Sequence, residues 1–276
     1  MPSQDFPLLA GIDFTSAPRR AKPITLASGS LCGARVALDR IDALPDFVAF
    51  ASWLHRPGPW LAAFDFPFGL PRELVLDLGW PQQWPALIRH YAALPRDQVR
   101  ATFAAYCAAR PVGGKFAHRA CDGPAGSSPS MKWVNPPVAI MLHAGAPLLL
   151  AAGVHLPGLH KGDPDRVALE GYPGLLAREL IAGRSYKSDQ KSQQTDARLA
   201  ARGDLVRALE AGRTRLGLSL ALKSAQRDAL IADASGDRLD SVLCLMQAAW
   251  ASLQPGYGLP RDIDPLEGWI VSASST

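Results

Sequence analysis

With 276 residues, 48% of them hydrophobic, the chain has enough apolar material for a sizeable core, arranged as one large domain carrying an insertion; its net charge of +4 suits an anionic partner without being diagnostic. Four cysteines (Cys32, Cys107, Cys121, Cys244) without a CxxC pair argue against a disulfide framework or a structural zinc site and for a reducing, cytoplasmic compartment. The opening residues lack the basic-then-apolar pattern of an export signal, and the apolar runs around Leu148 and Leu243 fall short of the roughly 20 residues of a membrane span, so neither export nor membrane anchoring is expected.

In chain order, Leu8-Leu9-Ala10-Gly11-Ile12 reads as a buried strand that ends at Asp13 and runs into Thr15 and Ser16. Residues 24–30 and 34–41 follow as two strands of a hairpin or meander, with Gly29 and Gly33 around the junction. Pro45-Asp46 opens a helix on which Phe47, Phe50, Ala51 and Leu54 recur at helical spacing, and Pro57-Gly58-Pro59 ends it. Trp60-Leu61-Ala62-Ala63-Phe64 is apolar on both faces, as a covered central strand should be, and delivers Asp65 just before Pro67.

From about 68 to 163 the pattern predicts a mainly helical insertion, with helices around Leu74 and over 87–94, 97–109 and 138–152. Its irregular stretch, 110–137, reads as loop. Arg166-Val167-Ala168-Leu169 is a further strand ending at Glu170, followed by a helix over 175–181. The polar segment 184–196 is expected to be exposed and mobile. Helices are predicted over 197–211, 224–234 and 237–253; on the last, Asp237, Asp240 and Cys244 share one face. The closing Glu267-Gly268-Trp269-Ile270-Val271 reads as one extra strand.

Strand-end acids are rigid ligands, and an Asp-x-x-Asp pair adds two more from the start of a helix. Clustered carboxylates suit hard divalent cations, whose charge offsets the mutual repulsion of the acids. Such a centre can activate water and stabilise the leaving oxygen of a phosphodiester. Asp237 has a structural explanation as well, since acids favour the first turn of a helix.

Five segments, Gly11-Ile12-Asp13-Phe14-Thr15-Ser16, Phe64-Asp65-Phe66-Pro67-Phe68-Gly69, Leu169-Glu170-Gly171-Tyr172-Pro173, Gly236-Asp237-Arg238-Leu239-Asp240-Ser241 and Glu267-Gly268-Trp269-Ile270, resemble in order the DUF429 family of predicted nucleases. The resemblance implies an α/β chain of RNase H-like fold, with a mixed five-stranded sheet that begins with three antiparallel strands and is flanked by helices. It also implies Mg²⁺ or Mn²⁺ bound by Asp13, Asp65, Glu170, Asp237 and Asp240, of which Asp13, Asp65, Glu170 and Asp240 are the catalytic candidates for phosphodiester hydrolysis.

Lys115, Arg119 and Lys132, in the irregular stretch, are the candidates for contact with nucleic-acid phosphates. Gly113-Gly114-Lys115 is not a phosphate-binding loop, because Ala109 stands where that motif begins and Phe116 follows the lysine. His118 and Cys121 lack the other ligands of a zinc site. Trp133 and Tyr172 are placed as packing residues in preference to base-stacking ones. Two alternatives stand beside hydrolysis: a non-catalytic nucleic-acid-binding or assembly protein of the same fold, and a nucleotide-hydrolysing or kinase-like relative, disfavoured because Phe-Pro-Phe follows Asp65.

Overall fold

The computed structural model describes residues 6–274; residues 1–5, part of the segment that bears on export, and 275–276 lie outside the described residues. The chain opens with strands β1 (Leu8–Asp13), β2 (Ile24–Cys32) and β3 (Arg35–Leu44), helix α1 (Phe47–Leu54) and strand β4 (Trp60–Phe64). Asp46 caps α1 by accepting a hydrogen bond from the Ala49 amide at 2.8 Å. Helices α2 (Arg72–Asp77), α3 (Trp84–Ala93), α4 (Arg96–Ala108), α5 (Asp122–Ala125) and α6 (Val138–Ala152) lead to β5 (Val154–His155) and β6 (Asp163–Glu170). Then come α7 (Pro173–Ile181), α8 (Asp196–Glu210), β7 (Ser219–Ala221), α9 (Ser224–Ala232) and α10 (Asp237–Ser252).

Among the described residues the sheet is mixed, in the order β5-β6-β4-β1-β2-β3-β7, with seven strands where five were expected. The two additions, β5 and β7, are edge strands of two and three residues, too short for alternation to show in a sequence. β1, β2 and β3 form the antiparallel opening, whereas β1, β4 and β6 run parallel. The tail makes only an isolated bridge, Ile270 beside Glu170, where a strand was predicted; the Val271 amide donates to the Glu170 carbonyl at 2.8 Å.

Alternation along the strands feeds two cores. Ala10, Ile12, Ala62, Phe64 and Ala168 face a core shared with α1 to α4 and α6. Leu9, Leu61, Ala63, Val167 and Leu169 face the opposite core, filled by α7, α8 and α10. The helices of 68–163 therefore build no core of their own. They are the layer covering one face of the sheet and the crossover that two parallel neighbours, β4 and β6, require. Among the described residues no helix is long and apolar enough to cross a membrane, and all four cysteines are free.

Candidate metal centre

Strand parity decides which acids meet. Side chains two apart on a strand share a face, so Asp13 follows Leu9 and Gly11, and Asp65, just past β4, continues the row of Leu61 and Ala63. Both acids thus turn toward the layer that holds α10. The Asp65 amide donates to the Ile12 carbonyl at 2.8 Å, which fixes the two strand ends side by side.

Gly11 brings the helix close enough to complete the group. A Cβ at Gly11 would stand 2.0 Å from the Leu245 amide nitrogen and 2.1 Å from the Ser241 carbonyl oxygen, so α10 lies directly on the backbone of β1. Asp240, in the first turn of α10 and fully buried, then reaches the two strand-end acids. One carboxylate oxygen from each of Asp13, Asp65 and Asp240 lies within 4.8 Å of the others. Asp237, the first residue of the same helix, lines the adjoining cavity without joining that triad.

Glu170 falls on the other side. It pairs in register with Phe64 rather than with Asp65, and so belongs to the opposite face of the sheet. There the Arg119 guanidinium grips it bidentately, with Nη1 to Oε2 and Nη2 to Oε1 both 2.7 Å, and the Phe68 amide donates to Oε2 at 2.9 Å. Burial pushes the Glu170 carboxyl above the usual carboxylate range, against the pull of Arg119. The structure thus brings Asp13, Asp65 and Asp240 together and leaves Glu170 occupied by an arginine.

The expected phosphate contacts fare differently from one another. Arg119 is buried, bonded to Glu170, Asp122 and the Glu267 carbonyl, and is a structural clamp rather than an exposed phosphate ligand. A loop reading of 110–137 missed it because its partners come from β6 and the tail. Lys115 is exposed and Lys132 half-buried, and neither lines the cavity at the acid cluster. Trp133 packs on Phe116 at 5.7 Å, whereas Tyr172 lines the cavity with the Arg178 guanidinium 5.3 Å from its ring centre.

The segment 184–196 is largely exposed, as expected, but its start is anchored. Tyr186 is buried and donates through its hydroxyl to Asp240 Oδ1 at 2.5 Å; the Lys187 ammonium forms an ion pair with Asp240 Oδ2. Arg202 donates to the Tyr186 carbonyl at 2.7 Å, and the Ser188 amide to the Ala234 carbonyl at 3.0 Å. Lys22 lies 2.5 Å from Asp189 and 3.8 Å from Asp237. Sequence reasoning passed over Lys187 and Tyr186. The one available signal was an aromatic anchor followed by lysine in an otherwise polar stretch.

Among the described residues the Asp13 and Asp65 carboxylates have no hydrogen-bond partner, and their protonation reflects this. Burial, then the charges of Asp240 and Asp237, push the Asp13 carboxyl well above the usual carboxylate range. Burial also raises Asp65, to about 7, against the pull of Lys187. Asp237 is raised by burial too, with Lys22 opposing. Lys187 is held protonated by Asp240, Tyr186 and both strand-end acids, although burial works against its charge.

These groups open into a cavity of about 600 Å³ at the carboxyl ends of the parallel strands, bounded by the 186–189 segment, Lys22, Tyr172 and the start of α6. Oxygen-only donors from three carboxylates match Mg²⁺ or Mn²⁺ and mismatch the softer metals that prefer sulfur or imidazole.

No family model, curated protein or solved structure matches the chain.

Proposed function

We propose that the protein is a divalent-metal-dependent phosphodiester hydrolase of RNase H-like fold. The observation that carries this reading is the convergence of Asp13, Asp65 and Asp240, from two adjacent strand ends and one helix, beside a cavity that Asp13 and Asp65 line and that is large enough for a substrate. The resemblance of five ordered segments to a family of nucleases supports it, as does the antiparallel β1-β2-β3 opening that the resemblance implies. Asp13 is the central ligand, sitting between Asp65 and α10; Asp65 and Asp240 complete the set. Asp237 adds negative charge beside Asp13, and Glu170 with Arg119 braces the strand end that carries the Gly171-Tyr172 wall.

When bound, Mg²⁺ or Mn²⁺ would supply Lewis acidity toward a phosphoryl oxygen and lower the pKa of attacking water. Lys187 holds Asp240 oriented and contributes a fixed positive charge next to the acids. Lys22 places a second ammonium at the rim, beside Asp237 and Asp189.

The test is titration calorimetry with Mn²⁺ alongside hydrolysis of bis(p-nitrophenyl) phosphate. Asp13→Asn should abolish both Mn²⁺ binding and Mn²⁺-dependent cleavage while the variant still folds and melts cooperatively by circular dichroism. Full activity in that variant would refute the assignment; Mn²⁺ binding without any cleavage would favour a non-catalytic role.

A further inference from the structure

Part of the cavity lining is apolar and open. Pro136 and Pro137 are exposed, and Val138 and Met141, on the first turn of α6, are half-buried; all four line the same cavity as Asp13 and Asp65. The half-buried ring of Tyr172 also lines the cavity. Ser127, Ser128, Thr15 and Ser16 add hydroxyl groups to the lining. The lining of the cavity thus combines charged groups with apolar side chains and hydroxyl groups.

Charge decides how an anion could enter. The Glu170–Arg119 pair is self-contained and Lys187 is paired with the buried Asp240, which leaves Asp13, Asp65, Asp189 and Asp237 on the lining against Lys22. A bare anion is not attracted to that surplus of carboxylates; an anion accompanied by divalent cations is. The volume of about 600 Å³ suits one small ligand, since such sites run roughly 300–1,000 Å³. A sugar phosphate would leave the apolar wall unused, and a duplex would engage it with backbone only.

We infer that the cavity takes a single nucleotide unit together with divalent metal, its phosphate at the Asp13–Asp65–Asp240 end and its base against Pro136, Pro137, Val138 and Met141. This inference rests on the metal-centre reading and narrows its substrate class to a nucleotide-sized phosphate ester, free or at the end of a strand. The helical layer over 68–163 thereby determines specificity, because the start of α6 forms the base wall.

Calorimetry on the full chain tests it, with uridine 5′-monophosphate, inorganic phosphate and a duplex oligonucleotide as probes, each with and without saturating Mn²⁺. The nucleotide should bind in the presence of Mn²⁺ and more tightly than phosphate. Val138→Trp, which fills the base wall, should weaken the nucleotide by about tenfold or more while leaving the phosphate and Mn²⁺ isotherms unchanged. Met141→Trp gives an independent second variant, with the circular dichroism melt reporting its fold. Equal affinity for nucleotide and phosphate, nucleotide binding indifferent to both tryptophans, or a clear preference for the duplex would overturn the inference while leaving the metal centre standing. Failure of Mn²⁺ to bind would overturn both.

Discussion

Replacing Asp65 with asparagine isolates the electrostatic cost of the acid cluster. In the unfolded chain its carboxyl titrates near 3.9, whereas in the fold burial raises it to about 7. The folded state therefore binds more protons than the unfolded state between those values. Its contribution to stability is fully present below about pH 4 and is lost as pH rises through about 7. A shift of about three units corresponds to roughly 4 kcal/mol at most; partial exposure of Asp65 and its coupling to Asp13 and Lys187 bring the expected value to about 1–2 kcal/mol. In EDTA at pH 8, Asp65→Asn should accordingly be more stable than the wild type by about 1–2 kcal/mol, and the difference should vanish toward pH 4. Urea unfolding followed by tryptophan fluorescence at both pH values reads this directly. Adding Mn²⁺ at 100 times its dissociation constant should then stabilise the wild type by about 2.7 kcal/mol and reverse the order, because the variant has lost a ligand. An asparagine variant less stable than the wild type at pH 8 in EDTA, or one that Mn²⁺ stabilises equally, would refute the reasoning.

Arg119→Met should destabilise the protein by about 3–5 kcal/mol, since it leaves Glu170 and Asp122 buried without their partner; a loss under about 1 kcal/mol in a denaturant titration would remove Arg119 from its structural role. Gly11→Ala drives a methyl group into the backbone of α10, and should cost about 3 kcal/mol or more and weaken Mn²⁺ binding together with stability. If calorimetry shows unaltered Mn²⁺ affinity in that variant, the contact at Gly11 does not place Asp240. Lys187→Met leaves the buried Asp240 carboxylate facing Tyr186 alone; it should cost about 1–3 kcal/mol in EDTA, most of it restored by Mn²⁺, as differential scanning calorimetry would report. An unchanged melting temperature would show that the lysine contributes no net stability.

The five longer strands, most of the helices and the positions of Asp13, Asp65 and Asp240 were legible in the chain because they depend on local order. Apolar runs that end in an acid mark strand ends, and a three-residue spacing on a helix is a property of the helix alone. Parity was legible too, though harder to use. Asp13 and Asp65 each follow a residue of the core shared with α1 to α4 and α6, Ile12 and Phe64, whereas Glu170 follows Leu169 of the core filled by α7, α8 and α10, and that single step puts it on the other face. Only the register between β4 and β6 fixes where β6 ends relative to its neighbour, and register is a tertiary quantity.

The short edge strands β5 and β7 owe their conformation to the strands they join, so no pattern in two or three residues could announce them. The same holds for the charged partners. Arg119 meets Glu170 across 51 positions of sequence and Lys187 meets Asp240 across 53, contacts that composition made look like solvated loop. By itself the sequence determined a chain able to bring acids to the ends of parallel strands, because hydrophobic periodicity is written locally. The tertiary structure decided which acids share a face, which one an arginine takes and which lysine faces the rest, because those choices depend on strand register and on how closely a helix can approach a glycine.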